Sequence, residues 1–427
     1  MGFAPRRGAG WRPLGARASL RRMSFSPARR HAALVEIAAR LGRAGANLTI
    51  CAPGMAPLHV GTRPDAARVA FRELAAIDPL LRGDHLALAE AYLAERIDVD
   101  GDWSEVIKVS ELIELEASPF DRLRLALAIA LRGRRRTNRD AIAFHYDRPA
   151  DFFLPWFERW RSYSHGFYDT PDDDPSEAQA RKLQYAIDAL GLRPGMRVLD
   201  VGGGWGSFVE YAGSIGIHVH ALTISREQYR FVEELIRARS LPCSVELVDF
   251  LDYQPREPFD GAVFLGTLEH VGHYRQVAQF LREHLRSGAA VYADFCARQA
   301  QSNHASRFMR KWIWPGTTSY VDVAALVREL GVADFNVHEL VDDTLSYAWT
   351  VRDWALRLEA HHKAIAERFG EVSVRAFLLF LWGSHHFLAN NRTQAYHLVA
   401  AREPRAATRT STTLAAHRHA NTSPSRE

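Results

Sequence analysis

Cysteine is scarce in this chain, and long apolar runs are missing from it. Only three cysteines, Cys51, Cys243 and Cys296, occur among 427 residues, and no two of them share a CxxC spacing. We therefore expect neither a disulfide framework nor a zinc site, and a reducing cytoplasm is the natural compartment. No apolar stretch reaches the roughly 18 residues that a membrane-spanning helix needs, so we expect no such helix.

Acidic residues are rare at both ends of the chain. Residues 1–30 hold eight arginines and no acid, and residues 404–427 hold four arginines and one glutamate. The ends thus contribute +8 and +3 to a formal net charge of +4, which leaves −7 for residues 31–403. An acidic body argues against nucleic acid as a partner. We interpret 1–30 as a basic disordered arm and 404–427 as a disordered tail. A start at Met23 would also explain the first segment, and a targeting-like or membrane-touching arm is the alternative.

Two segments precede the main domain. Residues 31–118 have the pattern of a small N-terminal α/β module, for which lipid binding is one interpretation. Residues 119–140 join an apolar stretch to a basic run and predict a basic amphipathic linker helix. Such a helix can lie on an anionic bilayer, although a buried linker helix with a solvated end fits the composition as well. The basic run consists of Arg132, Arg134, Arg135 and Arg136.

Helix and strand patterns alternate regularly through residues 141–403. The order predicts an α/β domain built on a doubly wound parallel sheet. Two insertions rich in aromatic residues, 298–320 and 345–391, leave the sheet after its late strands and could cap its ligand edge. The expected helices are 178–190, 206–214, 226–240 and 274–286, and the expected strands are 196–201, 217–222, 244–248, 260–265, 289–296, 335–342 and 394–401.

A glycine-rich turn is the most informative feature of this domain. Val198, Leu199 and Asp200 end a predicted strand, and Gly202, Gly204 and Gly206 follow before a predicted helix. Glycines let a ligand approach the backbone, and the helix N-terminus can hold a charged group. Such a turn is weak evidence alone. Three further elements follow it in order, and together they predict a site for S-adenosylmethionine (SAM).

Polar residues follow the next three strands of the predicted sheet. Thr223 and Gln228 come after the second strand, and Asp249 and Phe250 come after the third. Phe250 and Asp249 suit the ring face and the amine of an adenine. Glu269 and His270 follow the fourth strand. All of them should meet at the carboxyl edge of the sheet, where open α/β folds bind ligands.

Residues from about 70 to 402 resemble a known family, the cyclopropane-fatty-acyl-phospholipid synthases and the related mycolic acid cyclopropane synthases. The shared motifs are specific in combination, because other methyltransferases would share only the glycine turn. They are HYD (145–147), YSxxFY (163–168), VLDxGxGWG (198–206), TISxEQ (223–228) and EHVG (269–272).

The resemblance implies a class I methyltransferase that transfers a methylene or methyl group from SAM to the double bond of phospholipid acyl chains. It implies that Tyr163 and Ser164 cover the methionine end of SAM. The three alternate glycines lie beneath it, and the residues after the second and third strands reach its ribose and adenine. The partner would be acyl chains at the cytoplasmic face of a membrane. The sequence leaves a homodimer open.

Departures from the family concern its general base, a bicarbonate held by a cysteine, a glutamate, a histidine and a tyrosine. Glu269 and Tyr347 match two of these ligands, whereas His165 replaces the cysteine and Ala293 replaces the histidine. Asp294, beside Ala293, adds a carboxylate that disfavours a bound anion. Either a side chain, His165 or Glu269, acts as the base, or the ring-closing step is lost.

Two other functions stay open on the sequence. One is a small-molecule N- or C-methyltransferase on the same scaffold, and the other is a non-catalytic protein that binds SAM or lipid. His270 bears on this choice, because plant alkaloid N-methyltransferases resemble the same family and use a Glu-His pair here. The alternative for His270 is a structural histidine at the end of a strand.

Overall fold

A computed structural model describes residues 25–111, 148–297, 307–314 and 320–402. The predicted linker helix, the predicted tail and most of the predicted arm lie outside these residues. The arm is shorter than predicted, because helix α1 (Pro27–Arg43) begins inside it. The side chain of Ser26 caps α1 by accepting a hydrogen bond from the Arg29 backbone, and Pro27 occupies the first helical turn.

The N-terminal module contains a four-stranded sheet with the order β2-β1-β3-β4. β1 pairs with β3 in parallel, and the other two pairings are antiparallel. β4 forms one edge of this sheet. The elements after α1 are β1 (Leu48–Cys51), β2 (Leu58–Val60), β3 (Ala67–Phe71), α2 (Asp78–Arg82), α3 (His85–Leu93), β4 (Ile97–Gly101) and α4 (Trp103–Glu111).

The larger domain is built on a seven-stranded sheet with the order β10-β11-β9-β8-β5-β6-β7. Its helices and strands up to β9 follow the predicted alternation closely. They are α5 (Ala150–Phe153), α6 (Pro175–Ala189), β5 (Arg197–Val201), α7 (Ser207–Ser214), β6 (His218–Thr223), α8 (Arg226–Arg239), β7 (Ser244–Leu247), β8 (Phe259–Leu265), α9 (Tyr274–His284) and β9 (Leu285–Ala297).

The sheet is mixed rather than wholly parallel. β11 enters between β9 and β10 and runs antiparallel to both. The other five strands are parallel to their neighbours, so β5, β6 and β8 direct their carboxyl ends to one edge. The elements after β9 are a π-helix (Met309–Ile313), α10 (Val323–Val332), β10 (Phe335–Asp342), α11 (Thr344–Ala360), α12 (His362–Phe369), α13 (Glu371–Ala389) and β11 (Gln394–Arg402).

The predicted insertion at 345–391 is the helical layer α11–α13, and it shares one hydrophobic core with the N-terminal module. The indole N–H groups of Trp103 and Trp382 both donate to Glu359, at 3.1 and 2.8 Å. The buried guanidinium of Arg375 donates to two backbone carbonyls of the module. These contacts join the module to the layer that covers the sheet edge.

Helix α13 departs from the expectation that the chain contains no helix able to span a membrane. It is long and apolar enough, by length and composition, to cross a membrane. Part of it packs inside the protein, where Phe377 and Leu381 are fully buried. Because core helices of soluble proteins meet the same criteria, this feature is weak evidence for a membrane span.

Candidate active site

The glycine turn forms the floor of a cavity at the carboxyl ends of β5, β6 and β8. The backbone N–H groups of Gly202 and Gly203 both donate to the Leu222 carbonyl, at 2.9 and 3.0 Å, which fixes the turn against β6. Gly202 has a φ of +85° and lies against Thr267, so a side chain there would meet the Thr267 hydroxyl. The turn therefore leaves its backbone open to a ligand in the cavity.

Nine of the ten residues predicted to bind SAM line this cavity. They are Tyr163, Ser164, Asp200, Gly202, Gly204, Thr223, Gln228, Asp249 and Phe250. Gly206 is the exception among them: it begins α7 with a φ of +77° and packs closely against Leu235 of α8. Its contribution is to let the turn and α8 approach each other.

Asp200 contributes a buried carboxyl group to the cavity wall. It is buried at the end of β5, and burial, together with nearby Asp294, raises its pKa to about 7. No hydrogen bond contributes to this shift, and the charge of Lys182 is its only opposing cause. A cationic group such as the ammonium of an amino-acid ligand would stabilise the ionised carboxylate. The residues present therefore fit the methionine end of SAM.

Ser164 is held in the cavity wall by a buried charged network. Lys182 of α6 donates to the Ser164 hydroxyl at 2.7 Å and lies 3.3 Å from Asp294 of β9. Ser164 in turn donates to Asp294 at 3.1 Å, and the Gly266 N–H donates to the same carboxylate at 2.7 Å. Both Lys182 and Asp294 are fully buried. Asp294 remains a departure from the family motif, and the structure adds that Lys182 compensates its negative charge.

Removing the lysine should destabilise the whole domain. Lys182→Met keeps a long side chain but leaves Asp294 charged and without its cation, so we expect a loss of about 3–5 kcal/mol in the free energy of unfolding. Urea unfolding monitored by circular dichroism measures it. The double variant Lys182→Met, Asp294→Asn should recover part of the loss. Equal stability of wild type and Lys182→Met would contradict the importance of this pair.

The opposite side of the cavity is shaped by two capping interactions. Ser225 caps α8 by accepting from the Gln228 N–H at 3.3 Å, while the Thr223 hydroxyl donates to the Gln228 side chain at 2.8 Å. Asp249 accepts from the Leu251 N–H at 3.1 Å and so fixes the turn that presents Phe250. These polar groups and this ring face lie where the sequence predicts the ribose and the adenine.

Glu269 lies next to the cavity in a buried polar pocket. Its Oε1 accepts from the Cys296 N–H at 2.7 Å, and its Oε2 has no hydrogen-bond partner among the described residues. Burial raises the pKa of Glu269 to about 8, with a further contribution from Asp294. The Tyr347 side chain reaches the Cys296 thiol in the same pocket. Glu269 and Tyr347, predicted from sequence, are therefore brought together, and Cys296 joins them.

His270 lines the cavity itself, one residue further along. The Trp314 ring stacks on its imidazole with centroids 4.2 Å apart and planes at 20°. Burial lowers the pKa of His270 to about 4, so the imidazole is neutral near pH 7. Trp314 belongs to the predicted 298–320 insertion, whose described part thus covers this wall of the cavity.

His165 does not line the cavity, although it was a candidate for the base. Its imidazole is fully buried behind the wall and contacts Asp343 at 3.0 Å. The ring of Tyr347 lies 5.0 Å from it, which links His165 to the pocket that holds Glu269. Ala293 is buried in β9 and offers no polar group.

A cluster of aromatic rings surrounds Tyr163, which is predicted to cover the methionine end of SAM. The Tyr163 ring lies 5.2 Å from Phe157, 5.2 Å from Trp354 and 5.8 Å from Phe153. Trp205, from the glycine motif, packs on Phe153 at 5.6 Å. Such faces attract a cation and exclude water. A sulfonium at this end of the cavity would be favoured by these rings.

Several residues of the site were not identified from the sequence. Lys182 and Asp343 had no motif, and His397 lay in a plain strand pattern. Arg161 lines the cavity with an unusual φ of +61° and donates to the Trp205 carbonyl at 3.2 Å. The positive charge of Arg161, two residues before the YS motif, is the sequence signal by which this residue could have been identified.

A doubly wound sheet with a glycine turn, a buried carboxylate after its first strand and polar groups after the next strands defines a class I methyltransferase that uses SAM. The family model for mycolic acid cyclopropane synthetase matches residues 133–398. The chain therefore belongs to this family, and it is a SAM-dependent methyltransferase.

Similar proteins carry several names. A probable fatty acid methyltransferase of Pseudomonas putida is 26% identical over 327 residues, which cover 74% of this chain and 82% of that protein. Cyclopropane mycolic acid synthase 1 of Mycobacterium tuberculosis is 36% identical over 257 residues, or 56% of this chain and 88% of that protein.

Solved structures support the fold assignment. The cyclopropane synthase MmaA2 from Mycobacterium tuberculosis aligns with a TM-score of 0.58 at 22% identity, covering 62% of this chain and 98% of that one. At that identity the likeness concerns the fold. The N-terminal module of this chain lies outside the matched family model.

Proposed function

We propose that this enzyme transfers a methylene or methyl group from SAM to the double bond of unsaturated phospholipid acyl chains at the cytoplasmic face of a membrane. The supporting observation is the buried pocket of Glu269, Cys296 and Tyr347 beside the SAM cavity. An alkene that attacks an alkylating agent becomes a carbocation, and water would quench it. A buried carboxylate with one oxygen free, inside an aromatic enclosure, suits such an intermediate.

Some residues of the chain bind SAM, and Glu269 stabilises the positive charge on the lipid. When bound, SAM supplies an electrophilic methyl group. Asp200, Ser164 and the glycine turn hold its amino-acid end, while the aromatic cluster around Tyr163 excludes water. The carboxylate of Glu269 stabilises the positive charge on the lipid by a fixed electrostatic interaction. A nearby cation favours the ionised form of Glu269 and so opposes the effect of burial on its pKa.

Substrate class is supported by relatives in the same family, one of them named a cyclopropane-fatty-acyl-phospholipid synthase, from Escherichia coli. It is 27% identical over 240 residues, which cover 56% of this chain and 61% of that protein. The chain thus spans less than two thirds of that relative. Lipid extracts of cells that express the protein test the proposal: acyl chains heavier by one CH₂ support it, whereas unchanged lipids contradict it.

A second candidate, methylation of a small amine, is favoured by His270. Its imidazole is neutral and lines the SAM cavity, as a proton acceptor for an amine would. The two candidates differ in where the new carbon appears. Methylated amines in the medium, with acyl chains unchanged, would favour this second function.

Membrane association is a separate prediction that rests on Arg132, Arg134, Arg135 and Arg136, which lie outside the described residues. Each basic residue near an anionic surface contributes about 1 kcal/mol. Replacing all four by Gln should therefore sharply weaken binding to phosphatidylglycerol vesicles in a flotation assay, and high salt should have the same effect on the wild type. Equal flotation of variant and wild type at low salt would contradict the electrostatic mechanism.

A further inference from the structure

An arginine just before Tyr163 lines the SAM cavity. This residue, Arg161, has a side chain that is largely buried. Its Nε donates to the Trp205 carbonyl at 3.2 Å, so the guanidinium lies against the end of the glycine turn. Among the described residues that line the cavity, Arg161 is the one with a permanent positive charge.

The backbone at Arg161 has a conformation that residues other than glycine rarely adopt. Its φ is +61°, in the left-handed region. The Glu158 carboxylate accepts from the N–H groups of both Trp160 and Ser162, and the Arg161 N–H donates to the Glu158 carbonyl at 3.0 Å. Glu158 thus anchors the residues on both sides of Arg161 and fixes the bend. Strained residues that their surroundings hold in place are concentrated at active sites and ligand-binding sites.

The guanidinium of Arg161 is fixed in place but keeps N–H groups for a ligand. Nη1 donates to the Arg159 carbonyl at 2.8 Å, and Nη2 donates to the Glu210 carboxylate. A guanidinium has five N–H groups, and these two bonds and the bond from Nε use three of them. One N–H on each terminal nitrogen therefore has no acceptor in the described part of the chain, and both can donate to an anion in the cavity.

The acids near Arg161 have other partners as well. Glu210 also lies 3.7 Å from Arg239 of α8, so one carboxylate faces two guanidinium groups and cannot neutralise both. Glu158 is occupied by the two backbone N–H groups of the bend, and burial raises its pKa to about 6. Arg161 therefore still attracts a further negative charge.

The cavity offers opposite charges at the two ends of the glycine turn. Asp200 precedes the turn with a buried carboxyl group, and Arg161 binds the carbonyl of Trp205 near its other end. An α-amino acid carries an ammonium group and a carboxylate on the same carbon. Charge-assisted hydrogen bonds to both groups need one acidic and one basic partner close together. Asp200 and Arg161 supply this pair.

We infer that Arg161 binds the carboxylate of the methionine moiety of SAM, while Asp200 binds its ammonium group. Arg161 is then a specificity-determining residue, because it favours ligands that carry an intact amino acid over those that have lost the carboxylate. No bond is made or broken at this group. The inference is therefore independent of whether a lipid or an amine receives the methyl group.

Calorimetric titration of the full-length protein with SAM and decarboxylated SAM tests the inference, because these ligands differ only in the carboxylate. The wild type should bind decarboxylated SAM about 10–100-fold more weakly, since hydrogen bonds between charged groups are lost. Arg161→Gln should bind SAM more weakly by a similar factor. Its affinity for decarboxylated SAM should stay the same or rise. Equal losses for both ligands, or an unchanged SAM affinity in Arg161→Gln, would overturn the inference.

A third ligand, 5′-methylthioadenosine, detects damage to the cavity, because it lacks the whole amino acid. Its affinity should be the same in Arg161→Gln and in the wild type. Loss of this ligand as well would show that Arg161 only supports the loop, and it would overturn the inference. Arg161→Lys keeps the charge but not the planar fork of N–H groups, so it should recover only part of the discrimination between SAM and decarboxylated SAM.

Arg239→Gln is the matched control. Arg239 contacts the same Glu210 carboxylate but does not line the cavity. Its removal should leave the affinities for both forms of SAM within about twofold of the wild type, as expected for an exposed ion pair. A loss of SAM affinity equal to that of Arg161→Gln would show a general electrostatic effect and overturn the inference. If the discrimination depends on Arg161 but cellular lipids stay unchanged, the proposed function alone is contradicted.

Discussion

Glu269→Gln should lower kcat for acyl methylation by about 10²–10³ while the affinity for SAM stays the same. The substitution keeps the shape of the side chain and its hydrogen bond from the Cys296 N–H. It removes the negative charge that faces the cationic lipid. Single-turnover rates with phospholipid vesicles and calorimetry with SAM measure the two quantities separately.

The same variant should raise the free energy of unfolding, although it lowers kcat. Because burial raises the pKa of Glu269 to about 8, the folded wild type retains a proton that the unfolded chain loses near pH 4.5. The free energy of unfolding of the wild type therefore falls as the pH rises from about 4.5 to 8. Glu269→Gln has no ionisable group at this position, so its free energy of unfolding should not show this decrease. Glu105→Gln, a buried glutamate of the N-terminal module, is the control for kcat. A kcat within twofold of wild type in Glu269→Gln would contradict the assigned role.

Gly202→Ala should weaken SAM binding by about 10²-fold or more. Its Cβ would lie 2.3 Å from the Thr267 hydroxyl, and a φ of +85° is unfavourable for alanine. The turn must then move away from β6 and Thr267, and overpacking and backbone strain of this kind cost about 1–3 kcal/mol each. Calorimetric titration with SAM measures the loss.

Gly288→Ala is the control that introduces backbone strain without a steric clash. Gly288 has nearly the same φ, +84°, but no atom within 4 Å of the added Cβ, and it lies far from the cavity. This variant should bind SAM like the wild type. If Gly202→Ala also binds SAM normally, the glycine turn is not the floor of the SAM site.

The fold was largely predictable because local patterns determine it. Hydrophobic strands and amphipathic helices alternate from 178 to 297, and strand ends carry the polar residues that meet at one edge. Thr223, Asp249 and His270 reach the cavity for this reason. The antiparallel direction of β11 was not predictable from local patterns. It depends on the position in the sheet, between β9 and β10, that the chain takes after the helical layer α11–α13.

The polar networks behind the cavity were beyond the reach of sequence patterns. His165 and Asp343 are 178 residues apart, and Lys182 and Asp294 are 112 apart, so no local spacing joins them. The sequence indicated that His165 and Asp294 departed from the family. It could not show that Asp294 is neutralised by Lys182, or that His165 turns its Nε2 toward a carboxylate.

The central claim is methyl transfer from SAM to an acyl double bond, and isotope labelling tests it most directly. The purified full-length protein is incubated with methyl-deuterated SAM and vesicles of an unsaturated phospholipid, and the acyl chains are analysed by mass spectrometry. Our account predicts one added carbon at the former double bond, with two deuterium atoms for a cyclopropane or a methylene branch and three for a methyl group on a carbon that stays double-bonded. Acyl chains that carry no deuterium, while the enzyme methylates an added amine, would contradict it.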